Sequence, residues 1–228
     1  MTISAIIPAG GRGTRMKADR NKIFLNLGGM EIIARTLAVL DAVSAIDEIV
    51  IVAAECDKSE IEAIINRINM KTPVLLTKGG DTRQRSVYNG LHAAHSDIAL
   101  IHDGARCLIT PHEIEMVIED AKKYGAAALG APVKDTLKTI DSNSDIIATV
   151  DRTKTVHIFT PQVFNRDEIT RLHEQAAKDG ISATDDCSIF EHYGKTVHLT
   201  LCSEDNIKIT TPTDIAIGEE ILKRRSSK

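Results

Sequence analysis

Between Ile3 and Lys22 the chain reads I-S-A-I-I-P-A-G-G-R-G-T-R-M-K-A-D-R-N-K, an apolar run that breaks at Pro8 into a loop holding Gly10, Gly11 and Gly13. Glycine admits positive φ and lets bare N–H groups come close to a ligand. A triphosphate needs both, because each phosphate oxygen wants a donor and tolerates no bulky Cβ in the way. Arg12, Arg15, Lys17, Arg20 and Lys22 add five cations within eleven residues, with Asp19 the one acid among them. This spacing predicts a phosphate-cradling loop at the C-terminal edge of the first strand of an open α/β sheet. It is not a Walker A loop, since no Gly-Lys-Ser/Thr follows. Nor is it a dinucleotide fingerprint, since Met16 stands where the third glycine belongs. The plainer alternative is a Gly-rich turn with solvated charges.

Further clusters fall where strands should end. The run Ile98 to Ile101 leads into His102-Asp103-Gly104-Ala105-Arg106. A carboxylate there suits Mg²⁺, which prefers one or two carboxylates, phosphate oxygens and retained waters. His102 reads as a satisfied, partly buried histidine, and Arg106 as either a phosphate ligand or the partner of an acid. A second Gly-rich turn, Lys78-Gly79-Gly80-Asp81-Thr82-Arg83-Gln84-Arg85-Ser86, opens a helix. Backbone groups at Gly79 and Gly80, with the Ser86 hydroxyl, could read the polar edge of a small base. Near the end, Lys208 would be the last cation aimed at the site and Asp205 a possible second metal ligand.

The elements that must position these groups alternate between apolar runs and helical spacing, which predicts a mainly parallel sheet covered on both faces. Helices are expected over Glu31–Leu40, from a Ser59/Glu62 capping box burying Ile61, Ile64, Ile65 and Ile68, and over Arg85–His95. Another opens at Thr110-Pro111-His112-Glu113 and closes at Gly125. The rest are expected over Arg166–Asp179, over Asp185–Tyr193, and from Thr211-Pro212 into a frayed K-R-R-S-S-K tail. Strands are expected over Glu48–Ala54, Val74–Thr77, Ile98–Ile101, Ala126–Ala131 and Thr196–Cys202. From Val133 to Arg152 the rhythm changes to alternation around the turn Asp141–Asp145, a β-hairpin inserted into an α/β chain. A lone hairpin is marginal in water, so this arm is expected to pack on another subunit.

Composition narrows the classes. The 228 residues suit one domain able to bury a good core, with the arm at 133–155. A net charge of −4 draws neither nucleic acid nor an anionic membrane, so an anionic ligand must be held locally. No Trp and 3% aromatic residues make a poor base-stacking surface. The four cysteines (Cys56, Cys107, Cys187, Cys202) are scattered without metal-ligand spacing and read as reduced thiols of a cytoplasmic chain. No run approaches a membrane span or a signal peptide.

Taken in order, P-A-G-G-R-G-T-R-M…K, G-G-D-T-R-Q-R-S-V, H-D-G-A-R, A-P-V-K-D-T, V-D-R…T-P-Q, T-D-D-C-S-I-F-E and D-N-I-K-I-T-T-P-T-D cover almost the whole chain. The set resembles the 2-C-methyl-D-erythritol 4-phosphate cytidylyltransferase family of the non-mevalonate isoprenoid pathway. The resemblance implies a Rossmann-like nucleotidyltransferase fold and Mg²⁺-dependent transfer of CMP from CTP to the polyol phosphate, releasing pyrophosphate. It implies that Arg15 and Lys22, with Lys208, stabilise the reacting phosphorus, and that Pro8, Ala9, Gly10, Gly11 and Gly13 wrap the triphosphate. Gly80, Asp81 and Ser86 would read the nucleotide, and Asp103 would take the metal. Ala105, Arg106, Thr160 and Thr184 would line the acceptor. Thr136 and Arg152 would reach its phosphate from the partner of a homodimer. Asn21 and Cys107 replace family prolines, and Gly10 and Gly104 replace alanines. Alternatives are a ribitol 5-phosphate cytidylyltransferase, a non-catalytic nucleotide-binding domain and, more distantly, a dinucleotide-dependent oxidoreductase.

Overall fold

A computed structural model describes residues 1–11 and 21–227. In chain order the strands are β1 (Ile3–Pro8), β2 (Asn26–Leu27), β3 (Met30–Glu31), β4 (Glu48–Ala53), β5 (Val74–Lys78), β6 (Ile98–Ile101), β7 (Ala126–Pro132), β8 (Lys138–Ile140), β9 (Ile146–Thr149), β10 (Val156–Asn165) and β11 (His198–Leu201). The helices are α1 (Ile32–Asp41), α2 (Lys58–Ile68), α3 (Arg83–Ala93), α4 (Pro111–Tyr124), α5 (Arg166–Lys178), α6 (Asp186–His192) and α7 (Pro212–Ser226). Seven strands form one sheet in the order β11-β7-β10-β6-β1-β4-β5. All its pairings are parallel except those of β10, which runs antiparallel to both β6 and β7.

Strand periodicity places one core on each face of the sheet, and a third, smaller cluster gathers Leu27, Ile32, Leu108, Ile209 and Ile221. Ile49, Ile51 and Ala53 of β4 face one side with Ile33 and Leu37 of α1, Ile61 of α2 and Ile114 of α4. Val50 and Val52 face the other side with Val87 and Leu91 of α3, Ile169 of α5 and Ile189 of α6. A run apolar at every position is what a strand covered on both faces requires. Each fully buried aliphatic side chain removes enough surface from water to contribute roughly 1.5–3 kcal/mol. Gly90 lets α3 lie directly on the sheet: a Cβ there would stand 2.5 Å from Ile6 Cγ2 and 2.8 Å from Val52 Cγ2. That close seating fixes where the N-terminus of α3 meets the end of β1.

Most expected elements are present, with four corrections. The stretch from Val156 to Asn165 forms a central strand where none was expected. Pro161 lies inside it, and the ladder to β7 shifts register between Ile158 and Gln162, so the proline sits at an irregularity that spares the pairing. The Ser59/Glu62 box is not used; α2 opens at Lys58 directly out of the 3₁₀ turn Glu55–Asp57, leaving Ser59 inside the first turn. Residues 22–31 hold a short turn and the β2–β3 ladder, both too brief to carry a periodic signal. The basic tail is helical to Ser226, held by Arg225 donating to the Leu108 carbonyl at 2.6 Å and by ion pairs to Asp205.

The expected hairpin is formed by β8 and β9. Its turn is tied by Asp141 Oδ1, which accepts the N–H groups of Asn143 and Asp145, both at 2.9 Å. Every residue of the two strands is exposed, including Ile140, Ile146 and Ile147 at 59%, 67% and 64%.

Candidate active site

The C-terminal ends of β1 and β6, the turn before α3 and the segment leading to α7 surround a cavity of about 380 Å³. Pro8, Ala9, Gly10 and Gly11 form one wall, and Gly80 to Arg83 with Ser86 another; Asp103 to Ala105, Lys22, Lys208 and Thr210 complete it. A second cavity of about 250 Å³ adjoins it, lined by Arg106, Phe159, Thr160, Gln162, Thr184 and Asp185 among others. Arg83, Asp103 and Lys208 belong to both linings.

Asp103 is the electrostatic centre. Its carboxylate meets Lys208 Nζ at 2.8 Å, Arg83 Nε at 3.1 Å and Arg106 Nε at 3.7 Å. Burial alone would raise its pKa, but the cations Arg83, Lys208 and Arg106 outweigh that and hold it well below the usual carboxylate range. Arg83 extends the network: its second terminal nitrogen lies 2.9 Å from Asp186 Oδ2, and Asp186 Oδ1 lies 3.1 Å from His173 Nε2. Both Asp186 and His173 are 1% exposed.

Behind Asp103, the buried His102 makes two bonds that fix its tautomer. Burial pushes its pKa down to about 4, with Asp103 opposing and Arg106 adding to the effect. A neutral ring then accepts the Thr160 hydroxyl at Nδ1, 3.1 Å away, and donates from Nε2 to the Arg106 carbonyl at 3.2 Å. Thr160 Oγ1 also accepts the Asp103 N–H at 3.0 Å, and Asn206 donates to the Thr160 carbonyl at 2.9 Å. Arg106 donates to the Asn206 carbonyl at 2.7 Å and lies over the Phe159 ring at 4.9 Å. The histidine is a brace for the loop that presents Asp103 and Arg106; it is satisfied, as expected, but fully rather than partly buried.

The turn before α3 is braced in the same way. Ser86 Oγ accepts the Gly80 N–H at 3.0 Å and donates to the Thr82 carbonyl at 2.9 Å. A Cβ on Gly80 would fall 2.3 Å from Arg85 Cγ, so no other residue fits that turn unchanged. Thr82 caps α3 by accepting the Arg85 N–H at 3.0 Å. Ser86 lines the cavity, but its hydroxyl is spent on shaping the turn rather than facing outward. Lys22 Nζ donates to the Ile209 carbonyl at 2.9 Å, joining the end of the first loop to the segment that carries Lys208 and Thr210.

This geometry, glycine-walled on one side and centred on a carboxylate with three cations, meets an equally extensive sequence correspondence. The model of the family described as "IspD: 2-C-methyl-D-erythritol 4-phosphate cytidylyltransferase" matches residues 3–224. The chain belongs to this family. It is 41% identical over 227 residues to the 2-C-methyl-D-erythritol 4-phosphate cytidylyltransferase of Desulforamulus reducens, covering 98% of this chain and 97% of that one. To the enzyme of that name from Clostridium acetobutylicum it is 43% identical over 224 residues, covering 97% and 98%. A crystal structure of 4-diphosphocytidyl-2C-methyl-D-erythritol synthase from Anaerococcus prevotii superimposes with a TM-score of 0.88 at 30% identity, covering 98% and 99%.

Set against the family's expected site, the larger cavity gathers Pro8, Ala9, Gly10, Gly11, Lys22, Gly80, Asp81, Ser86, Asp103, Ala105 and Lys208. The smaller one adds Arg106, Thr160 and Thr184. Gly13 and Arg15 lie outside the described residues. Thr136 and Arg152 are exposed on the arm and line neither cavity, and Arg152 donates to the Lys134 carbonyl at 3.1 Å.

Asp205 is a correction. It lines neither cavity; Arg224 grips both its oxygens at 2.5 and 2.7 Å, and Arg225 approaches at 3.5 Å. Its charge is committed to α7, away from both cavities. Arg83, Gln162 and Thr210 line the cavities and Asp186 pairs with Arg83, yet sequence reasoning selected none of them. Arg83 and Asp186 lay inside motifs already noted, but nothing in one dimension paired them.

Proposed function

We propose that this protein transfers CMP from CTP to 2-C-methyl-D-erythritol 4-phosphate, giving 4-diphosphocytidyl-2-C-methyl-D-erythritol and pyrophosphate. The observation that carries the reading is the pair of adjoining cavities sharing Arg83, Asp103 and Lys208. Two phosphorylated substrates placed in them would meet at that cationic junction. An oxygen of the acceptor phosphate forms a bond to the α-phosphorus of CTP while the bond to the bridging β-phosphate oxygen breaks in line with it. No protein nucleophile is required, so orientation and charge stabilisation do the work. Lys22 and Lys208, with Arg15, neutralise the oxygens of that phosphorus. Arg106, packed on Phe159, and Thr184 hold the acceptor.

A Mg²⁺ ion is part of the proposal, with Asp103 its one ligand among the described residues. A single carboxylate, phosphate oxygens and water make an acceptable Mg²⁺ shell for an ion that arrives with the triphosphate, provided Arg83, Lys208 and Arg106, which now hold the Asp103 oxygens, turn to the phosphates. The donor set does not fit a two-carboxylate site, because Asp205 lines neither cavity. When bound, the ion would draw charge off the phosphates.

The chain is read as one domain acting as a homodimer through the arm at 133–155, with Thr136 and Arg152 completing the partner's acceptor pocket. The exposed isoleucines of β8 and β9 support an arm built to be covered. Free thiols at all four cysteines are in keeping with a cytoplasmic enzyme. No described helix is long and apolar enough to cross a membrane.

Pyrophosphate release measured with each nucleoside triphosphate against methylerythritol 4-phosphate and ribitol 5-phosphate tests the reading. Turnover confined to CTP with the erythritol substrate is expected; a preference for ribitol 5-phosphate would reassign the acceptor, and no release with any pair would overturn catalysis.

A further inference from the structure

Asn21 ties together the two flanks of the first loop. Its Nδ2 donates to the Ala9 carbonyl at 2.7 Å and to Asp57 Oδ2 at 2.9 Å, while its Oδ1 accepts the Ile23 N–H at 3.3 Å. The residue is 8% exposed. Ala9 precedes the glycines that wall the larger cavity, and Lys22, which follows Asn21, lines the same cavity. Asp57 does not reach it. It closes the 3₁₀ turn after β4, where its N–H donates to the Ala54 carbonyl at 3.0 Å. The buried Ile23 and Phe24 seat the segment beyond Lys22.

We infer that the Asn21–Asp57 pair is a positioning device for Lys22, a role resting on the reaction proposed above. A lysine carries its charge on four flexible carbons, so the accuracy of that charge depends on the backbone from which it hangs. Here that backbone is fixed by a side-chain amide stretched between a strand-end carbonyl and a carboxylate. The bond to the carboxylate is charge-assisted, and the bond to the carbonyl is the shorter and more buried of the two. Asn21 also has φ −59° and ψ 130°, an extended conformation whose φ lies within the range a proline ring imposes. A ring at this position would restrain the same backbone covalently and make Asp57 unnecessary.

That relationship supplies the test. Asn21→Ala and Asp57→Ala are each expected to lower kcat about tenfold, with KM for CTP changing less than about twofold, as small displacements of an orienting group do. Asn21→Pro recovers most of the turnover lost in Asn21→Ala, and adding Asp57→Ala to Asn21→Pro costs no more. Acylation of the Lys22 amine, followed by mass spectrometry without substrates, reports the same clamp independently of activity. Labelling rises in Asn21→Ala and Asp57→Ala but not in Asn21→Pro. Should Asp57→Ala fail to fold, Asp57→Asn, which keeps an acceptor, is expected to give a smaller change in the same direction. Unchanged kcat and labelling in the alanine variants, or a full Asp57→Ala loss in the Asn21→Pro background, would overturn the clamp. An inactive wild-type protein whose labelling still follows the pattern would overturn the reaction and leave the clamp standing.

Discussion

Arg83 donates from Nε to Asp103 Oδ1 across 3.1 Å, and this one bond fastens the first turn of α3 to the loop after β6. The same guanidinium contacts Asp186 on its other side. One cation therefore balances a carboxylate in the site and another sealed behind it. Removing one partner of a buried pair typically costs 3–5 kcal/mol, because a charge is stranded. Arg83→Ala is expected to destabilise the protein by about 3 kcal/mol in urea unfolding and to lower kcat as well. Arg83→Lys recovers only part of either, since an ammonium cannot reach both acids with a planar fork. Wild-type stability in Arg83→Ala would show that the network contributes nothing.

His102 gives stability a pH dependence above the carboxylate range. Its folded pKa, down to about 4, lies below its ordinary 6.5. Between those values the unfolded chain binds a proton that the native state refuses. This contribution is complete above pH 6.5 and is lost as pH falls towards 4, amounting at most to about 3 kcal/mol. In metal-free buffer, urea midpoints should already decline from pH 6.5 downward, and His102→Gln should flatten that limb. A wild-type midpoint constant down to pH 4.5 would contradict a buried neutral ring.

The two acids once grouped as metal ligands should separate experimentally. Asp205→Asn is expected to leave the Mg²⁺ concentration for half-maximal activity unchanged and to loosen only α7, a small effect because Arg224 is exposed to solvent. Asp103→Asn should lower turnover by about 10²–10³, the scale of losing a charge-stabilising group. If Asp205→Asn raised the Mg²⁺ requirement severalfold, the assignment to α7 would fail.

Subunit sharing has a clean signature. Lys22→Ala and Arg152→Ala proteins should each be nearly inactive, yet recover about a quarter of wild-type activity when unfolded and refolded together. Half the dimers would be mixed, and one site in each would be intact. Recovery near zero would place Arg152 outside the neighbour's pocket.

Thr110 caps α4 in a complete capping box with Glu113, whose other oxygen accepts the Ser203 N–H at 2.9 Å. Thr110→Ala should cost about 1 kcal/mol in urea unfolding while leaving kcat alone. A matching fall in kcat would connect this cap to the site.

Much of the site was readable in the sequence because its parts sit at strand ends, where a short apolar run stops and glycine or aspartate begins. Ile98–Ile101 followed by His102-Asp103-Gly104 is such a junction, and the strand lies over those four residues. The α4 boundaries were equally legible, since Thr110, Pro111, Glu113 and Gly125 each have a local reason to be there. What escaped depends on contacts distant in sequence. Arg83 gains its meaning from Asp186, over a hundred positions later, and Asp205 loses its expected role to Arg224. β10 escaped because Pro161 reads as a breaker unless the neighbouring ladder is known to shift around it.

That antiparallel strand has a mechanical consequence. Val156 to Ile158 of β10 continue from the foot of the arm, while Thr160 and Gln162, a few residues on, floor the smaller cavity. One strand therefore connects the outer surface to the Thr160–His102 brace, through the irregular stretch that carries Phe159 under Arg106. Were the arm covered by a partner as proposed, its load would reach the smaller cavity along this strand, and assembly and the shape of that cavity would be one variable rather than two.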